Sequence, residues 1–269
     1  MEPFQNTGAS DFPFERISGG FMECGLGARE TVAKLDNSVA WLADDFTIKA
    51  MSQNVPVTIA PEALCRIIDG YAMKKDAFAY SFKKNGNWFY AITFPTESKT
   101  WLGNSTTKAW CQWSSGLIGG RHRSNCHCFF AGKNLVGDYD NGKIYELSDT
   151  TYSDDGNPIR HVRVSPPLFD PDGKRNVIYH TLEVEFKAGV GTQTGQGIDP
   201  QAMLRYSNDS CRTWSNEKWQ GIGKIGRFKD RARWHQLGGS RMRNWELSAT
   251  DPVEWVLLGA YADVSLGMS

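Results

Sequence analysis

The chain has no apolar run approaching the ~18 residues that a membrane-crossing helix needs. It also has no net charge, since 30 basic residues balance 30 acidic ones over 269 positions. That removes any global electrostatic case for binding nucleic acid or adsorbing to a membrane. The opening Met1-Glu2-Pro3-Phe4-Gln5-Asn6 has no basic region followed by an apolar one, so it does not read as a secretory signal. Synthesis in a cytoplasm is therefore expected, with Cys24, Cys65, Cys111, Cys126, Cys128 and Cys211 reduced and no disulfide framework. Long helical periodicities are scarce. No Gly-Lys-Ser/Thr is present, which excludes a phosphate-binding loop of that type.

What is abundant is aromatic residues and turn formers. Ten Trp, nine Tyr and fourteen Phe supply an interior, and 27 Gly supply turns between many short strands. Three stretches look alike: Ser38–Asp45 leading to a strand near Ile48, Ala77–Ile92, and Asn134–Leu147. The last two carry Asn85-Gly86 and Asn141-Gly142 between β-rich arms, the strongest short-range hairpin signal. Their spacing, about 40 to 50 residues, is that of one four-stranded propeller blade. Pro61–Gly70 is the best helix, with Pro61 in the first turn, Leu64, Ile67 and Ile68 on one face and Gly70 as the stop. Residues 1–30 are Gly-rich, a loop, a blade-closing segment or a domain edge.

The turn cluster Tyr152–Pro158 marks a boundary. Beyond it strands are expected over Ile159–Ser165, Asn176–Ala188, Gln201–Tyr206, Ala232–Leu237, Asn244–Ala249 and Glu254–Val264. Val184, Phe186 and Ala188 alternate with Glu183, Glu185 and Lys187, the period of a half-buried strand. The expected fold is all-β: partial β-propeller blades with an N-terminal segment over 1–158, then a small antiparallel β-sandwich-like domain over 159–269.

Several segments resemble the C-terminal portion of the tail-hub, or packaged DNA stabilization, proteins of short-tailed, P22-like bacteriophages. They include Gly132–Tyr139, Gly142–Leu147, Tyr152–Ile159, Arg163–Pro167, Phe186–Gly191, Asp199–Gln201, Arg205–Asp209, Arg212–Ser215 and Gly223–Gly226. The resemblance implies a structural role in the virion tail, joining the portal and adaptor region to the tail needle and tailspikes and helping retain packaged DNA. It also implies synthesis in the host cytoplasm, partners among other tail or head-completion proteins, nonspecific contact with packaged DNA, and no membrane partner. Family members are longer on the N-terminal side. This chain is thus expected to lack the first blades, as a fragment, a split gene product or a prophage remnant would. Open blades leave strand edges unpaired, so a homo-oligomer or a chain supplying complementary blades is expected. A carbohydrate-active propeller enzyme and a generic propeller interaction module are the alternatives.

Catalytic, cofactor and metal residues are not assigned. Ser207, Asp209, Thr213 and Trp214 form an Asp-box-like turn in which Cys211 stands where Gly is usual. Such turns occur in propeller glycosidases, but one turn says nothing of the paired carboxylates that catalysis needs, so its expected role is structural. Cys126-His127-Cys128 with His122 suggests zinc, but no second Cys pair has ligand spacing, and the two thiols are expected to be buried small hydrophobes. Arg121 and Arg123 lie in a Gly-rich loop that either is solvated or meets an acidic neighbour or DNA. Residues 224–243 are the most basic part, with Lys224, Arg227, Lys229, Arg231, Arg233, Arg241 and Arg243. Arg231 and Arg233 share one strand face, either a charged edge or a docking face for an acidic partner. Arg241 and Arg243 are candidates for the same docking face.

Overall fold

A computed structural model describes residues 2–53, 55–173 and 175–267. The chain forms two compact units, Met1–Ser115 with Gly120–Leu147, and Gly116–Gly119 with Ser148–Ser269. Among the described residues no helix is long and apolar enough to cross a membrane.

The first unit opens with an exposed hairpin, β1 (Phe4–Asn6) and β2 (Phe14–Arg16). A four-stranded antiparallel meander follows: β3 (Ala33–Leu35), β4 (Ser38–Leu42), β5 (Ile48–Ser52) and β6 (Val55–Thr58). Helix α1 (Glu62–Asp69) comes next. The second meander is β7 (Phe78–Lys84), β8 (Asn87–Phe94), β9 (Lys99–Asn104) and β10 (Trp110–Gln112). A third sheet has three strands, β11 (Ser124–Phe130), β12 (Lys133–Asp138) and β13 (Ile144–Glu146). Asn85 and Gly86, at φ 49° and 79°, take the left-handed pair of angles that a two-residue hairpin needs. Asn141-Gly142 instead lies in a longer loop, closed by Asp138 N–H donating to the Lys143 carbonyl at 3.1 Å.

Strand β7 lies beside β3 and β11, the first strands of the neighbouring sheets, as first strands do in propeller blades. Glu30 bridges Phe78 in parallel, and Asn134 Nδ2 donates to the Lys83 carbonyl at 3.0 Å. The middle sheet is covered on both faces. On β8, Tyr90, Ile92 and Phe94 join Leu42, Ile48, Leu64 and Ile68 in one core, while Ala91 joins Tyr80, Phe82 and Val136 in another. That is why β8 reads as a continuous apolar run rather than an alternating one. Leu64 and Ile68 bury as expected, but Ile67 is 46% exposed. The buried stripe of this short helix is the narrow i, i+4 pair.

The two end sheets differ. The outer face of the first carries Trp41 and Ala43, both buried under the segment around Cys24. Gly27 N–H donates to the Leu42 carbonyl at 2.9 Å, and a Cβ on Gly27 would fall 2.2 Å from the Ala43 carbonyl oxygen, so only glycine permits this approach. The outer face of the third sheet carries Cys126, Cys128, Phe130, Leu135 and Ile144, aligned by the pairs Cys128↔Leu135 and Gly137↔Ile144. Phe130 is 67% exposed and Ile144 73%. The expected burial of Cys126 and Cys128 is therefore corrected: both thiols are exposed, and no described residue of the first unit forms a packed core on that face. His127 points the other way and stacks on Tyr80 at 5.7 Å.

In the second unit, β14 (Ser153–Asp154) and β15 (Asn157–Pro158) turn on Asp155 and Gly156, at φ 52° and 80°. Next come β16 (His161–Val164), β17 (Leu168–Phe169), β18 (Val177–Phe186), β19 (Gln201–Ser207) and β20 (Lys218–Gly221). The last are β21 (Ala232–His235), β22 (Gly239–Ser240), β23 (Met242–Ala249) and β24 (Leu257–Leu266). One sheet runs β16-β23-β19-β20 with β17 also on β23. In the other, β18 pairs with β21, β22 and β24. Between them lie Leu182, Val184, Phe186, Ala202, Leu204, Trp234, Trp245 and Leu247. A register shift between Tyr179 and Thr181 changes the side-chain parity of β18, so Val177 and Tyr179 face the core together with Leu182 and Val184.

Candidate functional site

The Asp-box-like turn closes the end of β19. Asp209 accepts from Thr213 Oγ1 at 2.6 Å, Thr213 N–H at 2.9 Å, Ser207 Oγ at 2.7 Å and Arg212 N–H at 3.0 Å. The Thr213 hydroxyl and amide, followed by Ser207, hold its carboxyl far below the ordinary carboxylate range. Every acceptor position is thus spent on the turn itself. Cys211 sits at φ 67°, the left-handed angle that explains why Gly is usual there. Trp214 is half-buried, with the Arg205 guanidinium 4.9 Å from its ring. Arg205 in turn holds the buried Glu246 through two bonds of 2.7 and 2.9 Å. Trp214 therefore covers an ion pair. It is not a core anchor; Trp234 and Trp245 fill that role.

The candidate docking arginines separate into different environments. Arg121 lies over the rings of Tyr139 at 3.8 Å and Phe78 at 5.5 Å, and Arg123 pairs with Asp138 at 2.9 Å. Both are committed within their own unit. Beside them His122 stacks on Trp113 at 3.5 Å, bonds Ser124 at 2.7 Å, and is pushed by burial down to a pKa of about 3.

Arg243 requires a correction. It is 1% exposed, caged by Tyr206 at 4.1 Å, Tyr179 at 4.6 Å and Trp245 at 5.1 Å. It donates to Asn208 Oδ1 and the Leu237 carbonyl at 2.8 and 2.7 Å. It lies on β23, whose residues are buried almost without interruption, so it is not on a docking face. Arg241, just before that strand, is exposed.

Arg231, just before β21, and Arg233 on it are both exposed, as the alternation implied, with Ala232 and Trp234 buried. Glu183, opposite Arg233 on β18, pairs with both, at 2.5 and 2.6 Å. Hydrogen bonds from Arg231 and then Arg233 hold the Glu183 carboxyl below its usual range. His235 Nδ1 bonds Thr181 Oγ1 at 3.0 Å, a cross-strand contact.

The same two arginines form one wall of an open cleft of about 470 Å³. Its other cations are Lys224, Arg227 and Lys229, and its carboxylates are Asp199 and Asp230. Strand β20, which the sequence reading missed, supplies Gln220 and Gly221 to it. No group of three or more metal-ligating side chains occurs among the described residues.

Two family models match the chain: bacteriophage P22 Gp10, beta-propeller, over residues 1–152, and bacteriophage P22 Gp10, beta-sandwich, over residues 161–265. The chain belongs to the bacteriophage P22 Gp10 family. Gp10-family membership makes it a phage structural protein of the tail-hub type and a virion component, built from propeller blades and a β-sandwich. No curated protein matches it. Among solved structures it is similar to an exo-β-1,3-galactanase from Phanerochaete chrysosporium, at 11% identity and TM-score 0.26, over 93% of this chain and 72% of that one. It is also similar to an arabinoxylan arabinofuranohydrolase from Bacillus subtilis, at 10% identity and TM-score 0.22, over 84% of this chain and 58% of that one. At those TM-scores neither likeness bears on what a Gp10-family chain does.

Proposed function

We propose that the chain is a non-enzymatic building block of a phage tail hub. In this reading it joins the portal and adaptor region to the tail needle and tailspikes and helps retain packaged DNA. The observation that carries the proposal is the pair of Gp10 models, which together span nearly the whole chain. The gap between them, residues 153–160, contains the proposed boundary at 158/159, while the compact units divide at 147/148. The bare outer face of the third sheet supports assembly. It carries Cys128, Phe130, Leu135 and Ile144 where the first and second sheets have a packed neighbour. A second copy or a chain bringing complementary blades would cover it, because stacked repeats bury their faces only against one another. The Asp-box-like turn, with its carboxylate satisfied by backbone amides and hydroxyls of the same turn, serves the fold rather than a reaction. Low-resolution imaging of the assembled particle tests the reading. The expected result is density for this chain in a ring beneath the portal; absence from the tail, or turnover of a glycoside abolished by replacing one acidic residue, would overturn it.

A further inference from the structure

The cleft between β20 and β21 has a composition that selects its partner. Both strands are the last in their sheets, so each presents an open edge. Trp234 Nε1 donates to the Lys218 carbonyl at 2.8 Å and ties the two strands together. The walls are almost wholly polar and none of the five cations is buried. Their availability differs. Arg231 and Arg233 are held by Glu183, and Arg227 lies 3.5 Å from Asp230. Lys224 and Lys229 have no ion pair among the described residues.

A uniform polyanion would meet Asp199 and Asp230 as well as the cations, and would be repelled by them. A ligand with separate carboxylates on an extended backbone can place each one against a cation and keep clear of the two aspartates. The open strand edges suit such a backbone. We propose that this cleft is the docking site for an extended acidic peptide segment of a partner protein, with Lys224 and Lys229 as its main electrostatic contacts and Arg227 in support. The proposal rests on reading the chain as an assembly scaffold, and it makes the cleft, rather than Arg241 and Arg243, the place where an acidic partner is received.

The test uses the full chain and a fluorescent peptide in which Glu alternates with Gly and Ser, so that its carboxylates are spaced, followed by anisotropy at low and high salt. A single-stranded oligonucleotide of equal net charge is the comparison ligand. The expected result is salt-sensitive peptide binding, weakened about tenfold or more by combined Lys224→Glu and Lys229→Glu. The thermal midpoint should be unchanged, because neither lysine has an ion-pair partner to lose among the described residues, and the peptide should bind more tightly than the oligonucleotide. Peptide binding that survives the double reversal would overturn the proposal, as would tighter binding of the oligonucleotide. The readout needs no particle: peptide binding by a chain that never enters a tail would sustain the cleft and refute the hub.

Discussion

The two ends of the blade unit make the sharpest contrast in the molecule. At one end Trp41 and Ala43 lie beneath the Cys24 segment, held by a Gly27 approach that excludes any side chain. At the other, Phe130 and Ile144 stand in solvent on a sheet of similar pattern. Local sequence makes both sheets; only a covering layer makes one of them a core. The second unit shows the covered case in full, with two sheets closing over Trp234, Trp245 and Val184.

The largest effect should separate those two ends. Trp41→Ala should cost about 3–5 kcal/mol in denaturant melts, whereas Ile144→Ser should stay within about 0.5 kcal/mol in the isolated chain. Equal costs would mean that the third sheet is covered after all. Within the second unit Trp234→Ala should likewise cost about 3–5 kcal/mol, and Trp214→Ala about 1–2 kcal/mol, because Trp214 covers only the Arg205–Glu246 pair. A neutral Trp214→Ala would remove that role.

The covered His122 gives a pH signature. Its folded pKa, about 3, lies below the ordinary histidine value of 6.5, so the unfolded chain binds the proton more readily. The stability is present above pH 6.5 and is lost as pH falls toward 3, by at most roughly 5 kcal/mol at about 1.4 kcal/mol per pH unit. His122→Gln should flatten the melting profile across that window, and an unchanged slope would place the ring in water. The smallest effect should be a gain: Cys211→Gly relieves a left-handed angle and should stabilise by up to about 1 kcal/mol in thermal melts.

Much of this was legible in the residues. Asn85-Gly86 fixed a hairpin, Pro61 and Gly70 bracketed the helix, and the Val184–Phe186 alternation named a core face. The Ser207-to-Trp214 motif gave a turn whose bonds the structure shows one by one. Other features depend on tertiary partners. The burial of Arg243 depends on three rings from β18, β19 and β23. The bulge at Tyr179 shifts a parity that no alternation in β18 discloses. Arg231 and Arg233 looked like a free docking face because Glu183, 48 and 50 residues away, is out of view until β18 and β21 pair. For that reason reversing these two arginines would set three carboxylates together and perturb the fold, and Lys224 with Lys229 is the cleaner test of docking. Short strands such as β6 and β20 carry too few residues to show a period.

The central claim is that the bare third sheet exists to be covered by a neighbouring chain. Sedimentation of the chain at micromolar concentration tests it most directly, in parallel with a Phe130→Asp, Ile144→Asp variant. The account expects the native chain to sediment as a multimer and the variant, with an unchanged melting midpoint, as a monomer. A native monomer, or a variant that associates as the native chain does, would contradict it.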